Sequence, residues 1–510
     1  MKAYLLYRDR DFNMHREAEW NEPALVQDLD LNTLYQTMAQ SDAFLYDVIK
    51  RVVPVSSVIL DEITYRQTIL NDCIAHEATV RQIYAIAIGA IETERKSHYS
   101  VFSSSASSVL YGAREMIQQF AGVLKTLRAV ADSQAGQFQS EGFGQFFSMI
   151  QRELTDEYFA TIHQCLKELK FGGGVLISAG LGTGNKGISY VLRKPHEKDP
   201  NFLRRLFAKR SPSLTFRIAD RDENGARALA ELEARGINLV ANALAQSADH
   251  ILSFLTMLRT ELAFYLGCVN LHHELTQRSL PTCIPVPRQR IERQHAVEGL
   301  YDASLALRSG PAPVANDVHG DGKELVVITG ANQGGKSTFL RAVGLAQIMM
   351  QCGMFVTAAS FSANVCDGIL THYKREEDAS MQSGKLDEEL KRMSEIVEHI
   401  KEHSLLLCNE SFAATNEREG SEIARQIIAA LLQKRVKIVF VTHLYALAHG
   451  LHEQRTQGMM FLRAERRPDG ERTFRLTEAE PLETSYGEDL YRQIFLPQAR
   501  RICALQCAQR

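Results

Sequence analysis

The sequence predicts an α/β P-loop nucleotide-binding domain lying C-terminal to a mostly α-helical region with a small β insert. Three observations lead there. A β-branched run at residues 326–330 passes through a glycine loop into a helix start. Two later apolar runs, 403–410 and 436–443, each end in polar residues. Residues from about 30 to 290 are patterned mainly at helical spacing.

The first run reads Val326-Val327-Ile328-Thr329-Gly330-Ala331-Asn332-Gln333-Gly334-Gly335-Lys336-Ser337-Thr338. Its loop matches G-x-x-x-x-G-K-[ST] with the strand before and the helix (338–350) behind, the order a phosphate-binding loop requires. Gly330 and Gly335 permit backbone conformations that other residues resist. The N–H groups from Asn332 through Gly334 to Thr338 then turn inward around phosphate oxygens. The helix that follows aims its positive end at the same anion. Lys336 reaches the β- and γ-phosphates, and Ser337 offers a hydroxyl to Mg²⁺.

The second run, ending Leu407-Cys408-Asn409-Glu410, is a buried parallel strand delivering side chains at its C-terminal edge. Glu410 is placed to orient and activate an attacking water. Asn409 stands where P-loop enzymes usually carry a Mg²⁺-holding Asp, and one neutral amide oxygen holds a metal less tightly than a carboxylate. Taken without the P-loop, Asn409-Glu410 would equally be a polar strand end capping the next helix. The third run, Val439-Phe440-Val441-Thr442-His443, puts His443 either against the γ-phosphate or water, or simply in a surface hydrogen bond.

Upstream, residues 59–91 carry Ile63, Ile69, Cys73, Ile74, Val80, Ile83 and Ile86 at near-helical spacing, and 113–130, 146–169, 224–244 and 247–273 continue the pattern. These helices read as a core with lever arms, or as a plain bundle supporting the nucleotide domain. Between them, residues 172–192 read as a β-hairpin around a glycine-rich turn, and 214–218 as a further strand. Gly180-x-Gly182-x-Gly184 is no nucleotide loop, because a strand and not a helix follows it. Arg193, Lys194, Lys198, Arg204, Arg205, Lys209 and Arg210 in this insert either neutralise phosphates or form a solvated surface diluted by Glu197 and Asp199. Residues 275–290, with three prolines, form the linker, and 305–322 a loop leading to the P-loop strand. Around Pro468-Asp469-Gly470, the flanking runs 458–463 and 472–476 signal a hairpin. The expected division is a helical domain over 1–290, with its β insert at about 171–220, and a nucleotide domain over 291–510.

Composition bounds the rest. Apolar residues make up 45% and charged residues 23%, as in an ordinary globular chain, and 510 residues suffice for several cores. A net charge of −3 supplies no global field for nucleic acid, so any such contact rests on local patches. Nine cysteines are scattered without a C-x-x-C pair, which suits a reducing cytosol. Met1-Lys2-Ala3-Tyr4 and the residues after it turn charged too soon for a signal peptide, and the apolar stretch 343–359 carries Gln347 and Gln351. It reads as the buried helix behind the P-loop, so the expectation is a cytoplasmic protein without a membrane span.

From about Pro311 onward the chain resembles the ATPase domain of the MutS mismatch-repair family. The matching segments run in order: Val314-Ala315-Asn316-Asp317, the P-loop, Ser383-Gly384 with Leu386, Leu407 to Glu410, Val441-Thr442-His443, and Thr484-Ser485-Tyr486-Gly487 followed by Leu496-Pro497. The resemblance implies an ABC-type ATPase acting with ATP and Mg²⁺ as a homodimer. Lys336 and Ser337 would bind phosphate and metal, with Asn409 at the metal position. Glu410 would be the catalytic base and His443 the switch histidine. Ser383-Gly384 would reach the partner's γ-phosphate, although a Ser-Gly pair alone is just a turn. Asn316-Asp317 would form part of the adenine pocket, and the last segment would lead into dimerising helices. The β insert stands where the family carries a DNA-gripping clamp.

The departures are also informative. Asn409 replaces the family's Asp, and Ser411-Phe412-Ala413-Ala414-Thr415-Asn416 replaces a glycine-rich loop. No Phe is followed two residues later by Glu, the family's mismatch-reading pattern. The expectation is therefore a short member, without the mismatch-recognition and connector domains, that binds DNA by structure in repair or recombination. A slow nucleotide switch scaffolding protein partners, or a lever gripping RNA or a ribosomal complex, are the alternatives.

Overall fold

Strands that are apolar on both faces must be covered on both, and that requirement builds the C-terminal half. In the computed structural model, which describes residues 1–98, 105–171, 174–194, 214–308, 310–375 and 384–483, the chain divides into two compact units. Ser383, Lys198, Arg204, Arg205, Lys209, Arg210, the Ser485-Tyr486-Gly487 and Leu496-Pro497 segments, and Cys503 and Cys507 lie outside the described residues.

The first unit comprises Met1–Ala3, Ala78–Phe138 and Phe143–Thr260. Its helices include Ala106–Gln134, Asp156–Glu168 and, from Phe143 onward, Glu141–Glu153. Phe138, Phe143 and Phe147 form an aromatic cluster with ring centroids 4.6 to 5.8 Å apart. The helical stretch expected over 146–169 is broken, because Thr155 adopts extended backbone and its hydroxyl accepts the Tyr158 N–H at 3.1 Å. The stretch at 59–91 breaks likewise at His76. By contrast, 224–273 is one continuous helix, Glu223–Gln277, of 55 residues.

The hairpin of β1 (Ile177–Leu181) and β2 (Gly187–Leu192) forms as expected. A Cβ at Gly236 would stand 2.3 Å from Ile177, so the long helix passes β1 at that glycine. The strand expected at 214–218 is absent: those residues pair with nothing among the described ones, and Leu214 and Phe216 are almost wholly exposed.

The second unit comprises Tyr4–Glu77, Gln139–Gly142 and Glu261–Arg510. The division is thus not the simple one expected at residue 290. Buried polar groups explain why the N-terminal residues join this unit. Arg66 donates to Leu6 O and Cys352 O, Gln67 donates to Pro285 O, and the Ser57 N–H donates to Gln351 O. Each would be a costly orphan if the segments separated.

A four-stranded sheet is ordered β3 (Val286–Arg288), β7 (Ser360–Asn364), β4 (His295–Leu300), β5 (Asn316–His319). It corrects two expectations, since β3 lies within the expected linker and β5 within the expected loop. The main sheet is ordered β12 (Arg472–Glu478), β11 (Met459–Arg466), β6 (Leu325–Gly330), β10 (Lys437–Val441), β9 (Leu405–Asn409), β8 (Ile369–Tyr373). All neighbours are parallel except β11–β12, the expected hairpin.

One face packs Val327, Leu406, Cys408, Ile438 and Phe440 against helices Lys385–His399, Glu417–Gln433 and Tyr445–Glu453. On the other, helix Lys336–Gln351 comes so close that a Cβ at Gly344 would stand 2.6 Å from Leu407. This helix ends at Gln351, one residue past the expected 350, so the apolar stretch 343–359 is helical only in its first half. Among the described residues one helix, Glu223–Gln277, is long and apolar enough to cross a membrane, and 72% of its most apolar window is buried in the protein. The seven described cysteines are free.

Candidate nucleotide site

The site lies where the parallel strands end, and strand register assembles it. Val441 pairs with both Asn409 and Ile328, so β9, β10 and β6 reach the same edge together. The loop leaves β6 through Gly330, at φ 109°, where a Cβ would lie 2.8 Å from the Ala464 nitrogen of neighbouring β11. Only glycine fits both the torsion and the space. Gly335 closes the loop at φ 89°, as N-cap of helix Lys336–Gln351. Between them, a Cβ at Gly334 would stand 2.8 Å from that of Ala464, so Asn332 and Gln333 turn over a backbone pressed against β11.

Lys336 is buried and its ammonium donates to Gly330 O at 3.1 Å and Ala331 O at 2.9 Å. Burial pushes its pKa down to about 8, against the opposing pull of Glu410. The Ser337 hydroxyl donates to Asn409 Oδ1 at 2.8 Å, bringing the two expected metal ligands together. Glu410 sits at φ 56°, with its N–H donating to Val441 O. Its Oε1 lies 3.0 Å from His443 Nε2. That hydrogen bond holds the Glu410 carboxyl below its ordinary range, helped by the charges of Lys336 and Lys374 and opposed by burial. Glu410 is therefore a carboxylate with an oriented imidazole beside it.

Most of these groups line one cavity of about 580 Å³, within the ~300–1,000 Å³ usual for small-molecule sites. Asn332, Gly334, Gly335, Lys336, Ser337, Thr338, Glu410 and His443 all border it. Gly330, Asn409 and Gly384, the last capping helix Lys385–His399, do not.

The opposite wall was less visible in the sequence, apart from Asn316, which the resemblance assigns to the adenine pocket. Tyr301, Pro313, Asn316 and Phe474 form it. Asn316 locks β5 to the hairpin, accepting the Leu476 N–H at 2.7 Å and donating to Phe474 O at 3.2 Å. Arg472 donates to Asn332 O at 2.7 Å and so ties the hairpin to the P-loop. The hairpin's turn signal was legible, but its docking on the loop depends on contacts more than a hundred residues apart.

The donor set suits Mg²⁺ only in part. Ser337 and Asn409 are hard oxygen donors, as Mg²⁺ prefers, yet both are neutral. Glu410 is engaged by His443, and no cluster of three His, Cys, Asp or Glu ligands exists among the described residues. A metal here would take most of its ligand charge from a bound phosphate.

Comparison with known proteins agrees with this geometry. Residues 59–278 match the family model of the MutS2 N-terminal domain, and 326–509 that of MutS domain V. Together the two ranges take in most of the chain. MutS protein homolog 4 of Mus musculus is 33% identical over 155 residues, 30% of this chain and 16% of that protein. The DNA mismatch repair protein MutS of Clostridium kluyveri is 33% identical over 161 residues, 31% of this chain and 18% of that protein. The corresponding protein of a Thermotoga species is 37% identical over 131 residues, 26% and 16% respectively. The matched segment thus spans under a fifth of each relative's length.

Proposed function

The chain belongs to the MutS family, and on that premise we propose that it binds and hydrolyses ATP with Mg²⁺ and couples that cycle to holding DNA. The observation that carries this reading is that Ser337, Glu410 and His443 border the P-loop cavity together, with Asn409 hydrogen-bonded to Ser337 and Glu410 to His443. A phosphate loop alone binds nucleotide. A loop facing an oriented carboxylate can also direct a water at the terminal phosphate.

The residues would act in sequence. Triphosphate binding draws the Lys336 ammonium from the carbonyls of Gly330 and Ala331 toward the β- and γ-phosphates, where the charge is better used. Ser337 and Asn409 would hold Mg²⁺, which when bound neutralises phosphate charge. Glu410 accepts a proton from the water as it attacks, and His443 fixes the carboxylate's orientation. Phe474, Tyr301 and Asn316 form the wall available to the base and sugar. Once both products have left, Lys336 returns to the carbonyls of Gly330 and Ala331.

We assign DNA by structure, not by mismatch reading, as the coupled partner, because no Phe-x-Glu pattern exists in the chain. Of the basic insert, Arg193 is described bonding Ser178 Oγ, and Lys194 pairs with Glu168 at 3.1 Å on an exposed surface. Such surface pairs are worth little and exchange readily for phosphate. The functional unit in this reading is a cytoplasmic homodimer, with the Ser383-Gly384 segment of one copy completing the other's site. The neutral Asn409 favours a second reading, a slow nucleotide switch that scaffolds protein partners.

The test is steady-state Mg²⁺-ATP hydrolysis with and without duplex, branched and single-stranded DNA, with Glu410→Gln as the control. Turnover that DNA alters and the control loses supports coupling. Nucleotide binding without turnover, unmoved by any DNA, leaves only the switch.

A further inference from the structure

A cation stands beside this site that no phosphate-loop pattern includes. β8 ends at Tyr373, paired in register with Asn409. The Lys374 N–H continues the ladder by donating to Asn409 O at 3.0 Å. That bond places Lys374 next to Glu410 at the C-terminal edge, where neighbouring parallel strands run about 4.8 Å apart. Its side chain is exposed, and none of the described carboxylates forms an ion pair with it. The neighbouring Arg375 is different, being locked to Asp28 at 2.7 Å. The Lys374 charge is nevertheless felt at Glu410, where it joins His443 and Lys336 in favouring the carboxylate.

This placement matters because Asn409 is neutral. The site has one fewer ligand charge with which to retain a divalent cation, while the phosphate charge to be compensated is unchanged. A covalently tethered ammonium at the same edge supplies compensation that does not depend on metal retention. The P-loop takes the inner phosphates, and Glu410 marks the side from which the terminal phosphate is attacked. Lys374 neighbours Glu410.

We propose that Lys374 is a second phosphate-binding cation of this site, directed at the terminal phosphate of a nucleoside triphosphate. The inference rests on the nucleotide reading above. It makes Lys374 a discriminator between triphosphate and diphosphate states, with Lys336 serving both.

The test compares binding of ADP and of an imido-bridged, non-hydrolysable ATP analogue by calorimetry, each with Mg²⁺, in the full chain and in Lys374→Gln and Lys374→Arg. Lys374→Gln is expected to weaken the triphosphate analogue about tenfold and leave ADP within about twofold, as loss of one charge-assisted contact would. Lys374→Arg is expected to restore the preference. A general structural role would move both ligands together, and equal effects on the two, or none on either, overturn the proposal. Failure of the unaltered chain to bind either nucleotide overturns the nucleotide reading, and this inference with it.

Discussion

At the residue scale the site is two hydrogen-bonded pairs and a buried lysine. Glu410→Gln removes the proton acceptor but keeps the shape, so turnover should fall at least ~100-fold while nucleotide affinity changes little. A quenched-flow or phosphate-release assay against equilibrium binding separates the two. Lys336 gives a pH prediction with a definite sign. Burial lowers its pKa from 10.5 to about 8, so between those values the unfolded chain binds more protons than the native one. The contribution of Lys336 to unliganded stability therefore rises with pH across that window. Nucleotide favours the ammonium, so binding above pH 8 should take up a proton and weaken as pH increases. Calorimetry in buffers of different ionisation enthalpy measures that uptake, and Lys336→Met should abolish it. Lys336, Ser337, Asn409, Glu410 and His443 were legible because spacing along a strand, loop or helix start fixes their relative position. Asn316 was reached only through the family resemblance, and Arg472 and Phe474 were not legible at all, because no local pattern says which distant loop a hairpin tip will meet.

At the element scale the apolar runs identified β6, β9 and β10, since strands buried on both faces admit few polar residues. Short isolated runs misled: 214–218 has strand composition but no partner strand among the described residues. Nor did periodicity reveal where Thr155 would end one helix and start the next. The first residue of β10 is an exception to the apolar rule. Lys437 is 3% exposed, and its ammonium has no hydrogen-bond partner. Its pKa is pushed down to about 8 by burial. Lys437→Met keeps the stem and removes the charge, so it should stabilise the protein by ~1–2 kcal/mol. Chemical denaturation would register this as a raised midpoint at unchanged slope. Gly330→Ala should act oppositely. It forces a Cβ against the Ala464 backbone at positive φ, costing about 1–3 kcal/mol, with loss of nucleotide binding as the loop shifts.

At the scale of the whole molecule, the expected boundary near 290 failed for a reason sequence patterns do not carry. The polar side chains of Arg66 and Gln67 look like ordinary exposed helix positions, yet they satisfy carbonyls at Cys352 and Pro285. Long-range burial of this kind assigns residues 4–77 to the unit that carries the nucleotide site. The long helix Glu223–Gln277 contributes residues to both units. The central claim is that nucleotide state sets the affinity for DNA. The most direct measurement is a titration of branched and duplex DNA with the Glu410→Gln chain, saturated in turn with Mg²⁺-ATP and Mg²⁺-ADP at two salt concentrations. The account predicts affinities that differ by at least about tenfold between the two nucleotides and fall with salt. Equal affinity in both states, or no binding to any DNA, would contradict it.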